Sequence, residues 1–229
     1  MLATPDCASD PQPRREHGET AAVVFDLDGT LIDSFGLIDA SFRHAAEVVL
    51  DRVLTADEVM TRWGEPLPVR AAQLAAGRVD ELIAAYTAYY DANHDRLARP
   101  FAGVPEMLAA LAARGVRMGV ATSKRRRSTL QALERCGLAR WIGAAISAED
   151  VPAPKPAADA VLAALGRLGV SSEQAWMVGD GVFDIEAAHR AGVRSVAALW
   201  GTREREALLG ARPDRLASHP DHVLLLVSG

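Results

Sequence analysis

Five short apolar runs punctuate the chain at 22–27, 116–121, 143–147, 175–179 and 194–199, and each reads as a strand. Between them, near 104–113, 125–136, 156–168 and 183–191, apolar residues recur at helical spacing. Strands that are apolar throughout belong in a sheet covered on both faces. Their alternation with helices predicts an α/β core, a parallel sheet flanked by helices.

Residues 37–99 break that alternation. They read as four amphipathic helices, roughly 37–50, 55–62, 68–77 and 79–97, with no strand among them. The expected organisation is therefore a core of 21–36 and 100–229, interrupted by an all-helical insertion at 37–99. Residues 1–20 are polar, hold several Pro and Arg, and contain no apolar segment. They are expected to be a disordered tail and not a signal peptide. The apolar runs elsewhere fall well short of the roughly 20 residues of a membrane helix.

The first strand ends in Asp26-Leu27-Asp28-Gly29-Thr30. Residues two apart on a strand share a face, and the Gly-Thr that follows marks a turn, so both acids project from the strand tip. Two carboxylates about 4 Å apart repel by roughly 4 kcal/mol at an effective dielectric near 20. A divalent cation, a shared proton or a phosphoryl group relieves that cost. Three later segments also end apolar runs in polar residues: Gly119-Val120-Ala121-Thr122-Ser123, Pro154-Lys155-Pro156, and Met177-Val178-Gly179-Asp180-Gly181-Val182-Phe183-Asp184. In a parallel sheet, ligands gather at the carboxyl ends of the strands, where all four segments converge.

In order and separation these segments resemble the four motifs of the haloacid dehalogenase-like (HAD) phosphatase superfamily. The best match is the subfamily with a small helical cap after the first motif, which includes phosphoglycolate phosphatases. The resemblance covers residues 21 to about 228 and implies a Rossmann-like core with a mobile cap, hinged near 34–37 and 99–104. It implies Asp26 as the nucleophile and Asp28 as the general acid and base, with Gly29 permitting the turn and Thr30 holding Asp28. Thr122, Ser123 and Lys155 would bind the phosphoryl oxygens, with Gly29 beside them. Mg²⁺ would be held by Asp26, by the Asp28 backbone carbonyl and by Asp180. Asp184 would either reach the metal through water or orient Lys155. Two positions depart from the family pattern, Gly181 for a usual Ser and Ser123 for a usual Asn.

The chain prefers Arg so strongly that only Lys124 and Lys155 are lysines. One of the two stands where the family needs a compact ammonium. The run Lys124-Arg125-Arg126-Arg127 opposes a helix dipole and is expected mainly to be a solvated face, with attraction of an anionic substrate the alternative. In the insertion, Arg62, Trp63 and Arg70 are candidates for substrate specificity, Trp63 by covering the site and the arginines by meeting a substrate carboxylate.

A formal net charge of −5 at pH 7 offers no basic face for nucleic acid. The two cysteines, Cys7 and Cys136, form neither a disulfide framework nor a metal spacing, as in a reducing cytoplasm. The six histidines show no metal-binding motif, and His219 and His222 are expected at the surface. Gly179-Asp180-Gly181 lacks the third glycine of a dinucleotide turn, a position taken by Asp184.

The leading expectation is a Mg²⁺-dependent phosphatase acting on a small phosphorylated metabolite, with 2-phosphoglycolate the first candidate. It would be cytoplasmic, without membrane or nucleic-acid partners, and a monomer or homodimer. The alternatives are a β-phosphoglucomutase-like isomerase, which uses both aspartates, and a non-catalytic binding protein on the same fold.

Overall fold

The computed structural model describes residues 20–60 and 64–226. Its main sheet has six parallel strands: β1 (Ala22–Phe25), β4 (Arg117–Ala121), β5 (Ala144–Ile146), β6 (Ala175–Gly179), β7 (Arg194–Ala198) and β8 (Arg215–Ala217). Their order is β5-β4-β1-β6-β7-β8, which puts β1 at the centre. The crossovers are α5 (Val104–Ala113), α6 (Arg126–Arg135), α7 (Asp159–Leu168), α8 (Val182–Arg190) and α9 (Arg205–Gly210), and α10 (Pro220–Leu226) follows the last strand. This is the expected α/β, Rossmann-like parallel core.

Alternation along the strands divides the core into two layers. Val23 and Phe25, Met118 and Val120, and Trp176 and Val178 point to one side, where α5 brings Val104, Met107, Leu108 and Leu111. Ala22, Val24, Ala175 and Met177 point to the other, against Val161, Ala164, Leu165 and Leu168 of α7 and Ala187 and Ala188 of α8. With small residues on that second side, α7 lies close to the sheet; a Cβ on Gly119 would come within 3.2 Å of Leu168 Cδ1.

Between β2 (Ile32–Asp33) and β3 (Arg99–Pro100), which pair antiparallel, the chain forms only helices: α1 (Phe35–Leu50), α2 (Ala56–Met60), α3 (Leu67–Leu74) and α4 (Val79–Leu97). The buried positions of α4, Leu82, Tyr86, Tyr90 and His94, recur every four residues and make one stripe. Phe42 of α1 meets that stripe with its ring centroid 4.7 Å from that of Tyr86. The first helix ends at Asp51, in left-handed backbone at φ 51°. The third is shorter than its sequence pattern predicts, and Gly77 beyond it has φ 86°. No helix among the described residues is long and apolar enough to cross a membrane.

Candidate active site

Beyond β1 the strand path persists for one residue, since Asp26 N–H donates to Val178 O at 2.9 Å. The chain then folds back: Leu31 and Ile32 N–H both donate to Leu27 O, and Gly29 N–H donates to Ile32 O, each at 2.9 Å. Gly29 sits at φ 87°, and a Cβ there would collide with the Asp180 carboxylate. A second glycine is needed from behind: a Cβ on Gly201, past the end of β7, would collide with the Gly29 carbonyl.

Asp26, Asp180 and Asp184 each offer a carboxylate oxygen within 4.8 Å of the others. Lys155 Nζ lies among them, 2.8 Å from Asp26 Oδ1 and 2.6 Å from Asp184 Oδ1. The other oxygen of Asp184 accepts the Gly181 N–H at 2.9 Å, which fixes the carboxylate from both ends. Asp184 thus contacts Lys155 and also lies within the carboxylate cluster. Burial raises the Asp26 carboxyl from 3.8 to about 6 although Lys155 pulls it down, and Asp184 adds to the rise. Asp180 is raised well above the usual range by burial, and then by Asp184 and Asp26. Burial alone would lower the Lys155 ammonium, but the attraction of Asp184 and Asp26 prevails and raises it.

One ammonium against three acids leaves the cluster negative. Asp26 Oδ1 is buried, with the Lys155 ammonium at 2.8 Å. A small hard cation with oxygen preference fits this donor set. Asp26 and Asp180 would hold it with Asp184 adjacent, and it would supply charge neutralisation at a transferring phosphoryl group.

Thr30 departs from expectation. Its hydroxyl donates to Asp180 Oδ1 at 2.7 Å, so it holds Asp180 and not Asp28. Asp28 is held by two other side chains: Ser34 Oγ donates to Oδ1 at 2.5 Å and Lys124 Nζ to Oδ2 at 2.7 Å. This corrects the reading of the basic run as a solvated face, because Lys124 is buried at the site. Only the three arginines match that reading, with Arg125 paired to Glu149, Arg126 to Asp150 and Arg127 to Asp91. The scarcity of lysine was a signal for Lys124 as much as for Lys155.

Thr122 follows β4 and accepts the Lys124 N–H at 3.2 Å. Next to it, Ser123 Oγ is buried without a hydrogen-bond partner among the described residues, a donor aimed at nothing in the protein itself. Asp26, Asp28, Thr122, Ser123, Lys155, Asp180 and Asp184 all line one cavity of about 380 Å³, whose opposite wall comes from α1, α3 and α4. Arg70 also lines it, but the guanidinium donates to Val59 O and stacks 4.0 Å from the Phe42 ring centroid, so it is a wall and not an open anion site. Arg62 and Trp63 lie outside the described residues. His219 and His222 are exposed.

A family profile described as haloacid dehalogenase-like hydrolase matches residues 23–198. Pyrophosphatase PpaX of Bacillus velezensis is 33% identical over 193 residues, covering 84% of this chain and 89% of that protein. Pyrophosphatase PpaX of Halalkalibacterium halodurans is 32% identical, covering 89% and 95%. Among solved structures, a haloacid dehalogenase-like family hydrolase from Streptococcus pneumoniae superposes with a TM-score of 0.80 at 27% identity, over 90% of this chain and 98% of that one. A protein from Haemophilus somnus described as a "predicted phosphoglycolate phosphatase" gives a TM-score of 0.84 at 24% identity, covering 90% and 97%, a likeness of fold.

Proposed function

The chain belongs to the haloacid dehalogenase-like hydrolases, and from that premise we propose that it is a divalent-cation-dependent phosphatase working through an aspartyl phosphate on Asp26. The observation that carries this reading is the placement of Lys155 between Asp26 and Asp184, with Asp180 alongside. A buried lysine held between two acids serves as a fixed positive charge, and fixed charge at a phosphoryl group is the main catalytic requirement of its transfer.

In this reading an Asp26 oxygen attacks phosphorus and the bond from phosphorus to the leaving oxygen breaks, while Asp28 gives its proton to that oxygen. Asp28 then takes a proton from the water that attacks the aspartyl phosphate, which releases inorganic phosphate, restores the Asp26 carboxylate and returns Asp28 to its acid form. Thr122, Ser123 and Lys155 bind the phosphoryl oxygens throughout. Mg²⁺, when bound by Asp26 and Asp180, neutralises charge on those oxygens. The helical segment 37–99 acts as a cap over the crevice, moving on the ribbon of β2 and β3. The substrate is a small phosphorylated metabolite: 2-phosphoglycolate is implied by the resemblance to that subfamily, and pyrophosphate by the names of the curated relatives.

The test is phosphate release from a panel of phosphomonoesters and pyrophosphate, with and without Mg²⁺, by wild-type protein and Asp26→Asn. Release that requires both supports the mechanism. Release that survives in Asp26→Asn overturns it, and migration of phosphate on a hexose monophosphate without release assigns the isomerase reading instead.

A further inference from the structure

The cavity has two unlike halves. Its floor carries the carboxylates, Thr122, Ser123 and Lys155, whereas its roof is mainly apolar, with Ile38 and Phe42 from α1, Leu67 from α3, Tyr86 and Tyr90 from α4, and Phe183 from α8 beside the polar Glu65, Arg70 and Thr87. The floor disposes of one phosphoryl group. At about 380 Å³ the cavity falls within the range that encloses whole organic ligands, so the roof meets whatever the phosphoryl group is attached to.

A second phosphate or a carboxylate at that place would need cations, and four of the five that line the cavity among the described residues are engaged. Lys155 sits between Asp26 and Asp184, and Lys124 pairs with Asp28. Arg70 is committed to Val59 O and the Phe42 face, and Arg125 pairs with Glu149. The fifth, Arg203, is exposed and stacks on the Phe35 ring, 3.8 Å from its centroid. Placing an anionic group against the Phe42 and Phe183 rings would strip its water and return no charged partner from those rings.

We propose that the preferred substrate is a phosphomonoester whose alcohol carries an apolar, ring-sized body seated against Phe42, Tyr86 and Phe183. This rests on the phosphatase reading and departs from both named candidates, because glycolate and the second phosphate of pyrophosphate are anionic where the roof is not. Burial of a ring against aromatic faces gives both contact area and favourable edge or offset geometry, and one well-filled apolar pocket discriminates by tenfold or more.

The test compares kcat/KM, with Mg²⁺, for benzyl phosphate, methyl phosphate, 2-phosphoglycolate and pyrophosphate. The three esters all expel an alkoxide, so ease of departure does not dominate the comparison. Benzyl phosphate is expected to lead each of the others by at least tenfold. The partly exposed Phe183 and Leu67, changed one at a time to Ala, are each expected to lower the benzyl-to-methyl ratio fivefold or more. Turnover that depends on Asp26 but favours 2-phosphoglycolate or pyrophosphate overturns this inference and leaves the phosphatase reading standing. A separate arm needs no turnover: by calorimetry, 2-phenylethylphosphonate is expected to bind at least tenfold tighter than 3-phosphonopropionate. Equal or weaker binding overturns the proposal even if the protein hydrolyses nothing in the panel.

Discussion

Lys124 Nζ lies 2.7 Å from Asp28 Oδ2, buried beneath the helical insertion and 4.5 Å from the centroid of the Tyr90 ring. With Ser34 on the other oxygen, this ion pair fixes the carboxylate proposed as acid and base at both ends. Burial alone would depress the Lys124 ammonium, but attraction to Asp28 and the neighbouring tyrosines raises it, so it stays charged at any working pH. Replacing it with Met frees Asp28 to rotate. The expected result is a loss of kcat of about tenfold to a hundredfold, within the share that acid–base catalysis supplies, with a shifted pH profile of kcat. Lys124→Arg is not expected to restore activity, because a planar fork cannot replace a compact ammonium in this space.

The acids at the floor repel one another when no cation binds. Adding Mg²⁺ to metal-free protein is therefore expected to raise Tm by several degrees, which corresponds to about 1–2 kcal/mol at this size. Asp180→Asn is expected to remove that response and to cut Mg²⁺-dependent phosphate release by about a hundredfold or more. Thermal scans with and without EDTA check both statements.

Gly29 combines a positive φ with contact against the Asp180 carboxylate. Gly29→Ala is expected to displace Asp180 and weaken Mg²⁺ binding by tenfold or more. The far-ultraviolet circular dichroism should stay near wild type because the strands lie outside the turn. Titration with Mg²⁺ followed by Tm reads the loss directly.

His94 is buried, and its Nε2 has no hydrogen-bond partner among the described residues. Burial lowers its pKa below 6.5, and the nearby Arg135 and Lys124 charges act the same way against the pull of Asp95. A histidine depressed in the fold binds fewer protons there than when unfolded. Its contribution to stability is therefore present above pH 6.5 and is lost as pH falls below that value. Urea midpoints should drop between pH 7.5 and pH 5.5, and His94→Gln should flatten that slope.

The central strands could be read because β1, β4 and β6 are buried on both faces and so apolar at every position except Arg117, at the exposed start of β4. The edge strand β8 is three residues long, with Leu216 half exposed, and carries no such signature. The ribbon of β2 and β3 was missed for the same reason: two residues on each side make no period. Asp26, Asp28, Lys155 and Asp180 were visible because each ends or follows a strand, and the sheet sends those points to one edge. Thr30 was assigned to Asp28 but reaches Asp180, and Ser34 and Lys124 were assigned no partner, since which carboxylate a hydroxyl or ammonium reaches depends on how separate loops cross. Gly201 is legible only in space, where its bare backbone lies against the Gly29 carbonyl.

The pairing of Ile32 with Pro100 and of Asp33 with Arg99 brings the chain back beside the point at which it departed. Neighbours in an antiparallel ladder sit about 5 Å apart, so the six-stranded core experiences the long excursion between them much as it would a hairpin. Its length and contents are thereby decoupled from the register of the sheet. Helices could be exchanged between such ribbons, by recombination or by design, and a new leaving group admitted without moving any carboxylate at the floor.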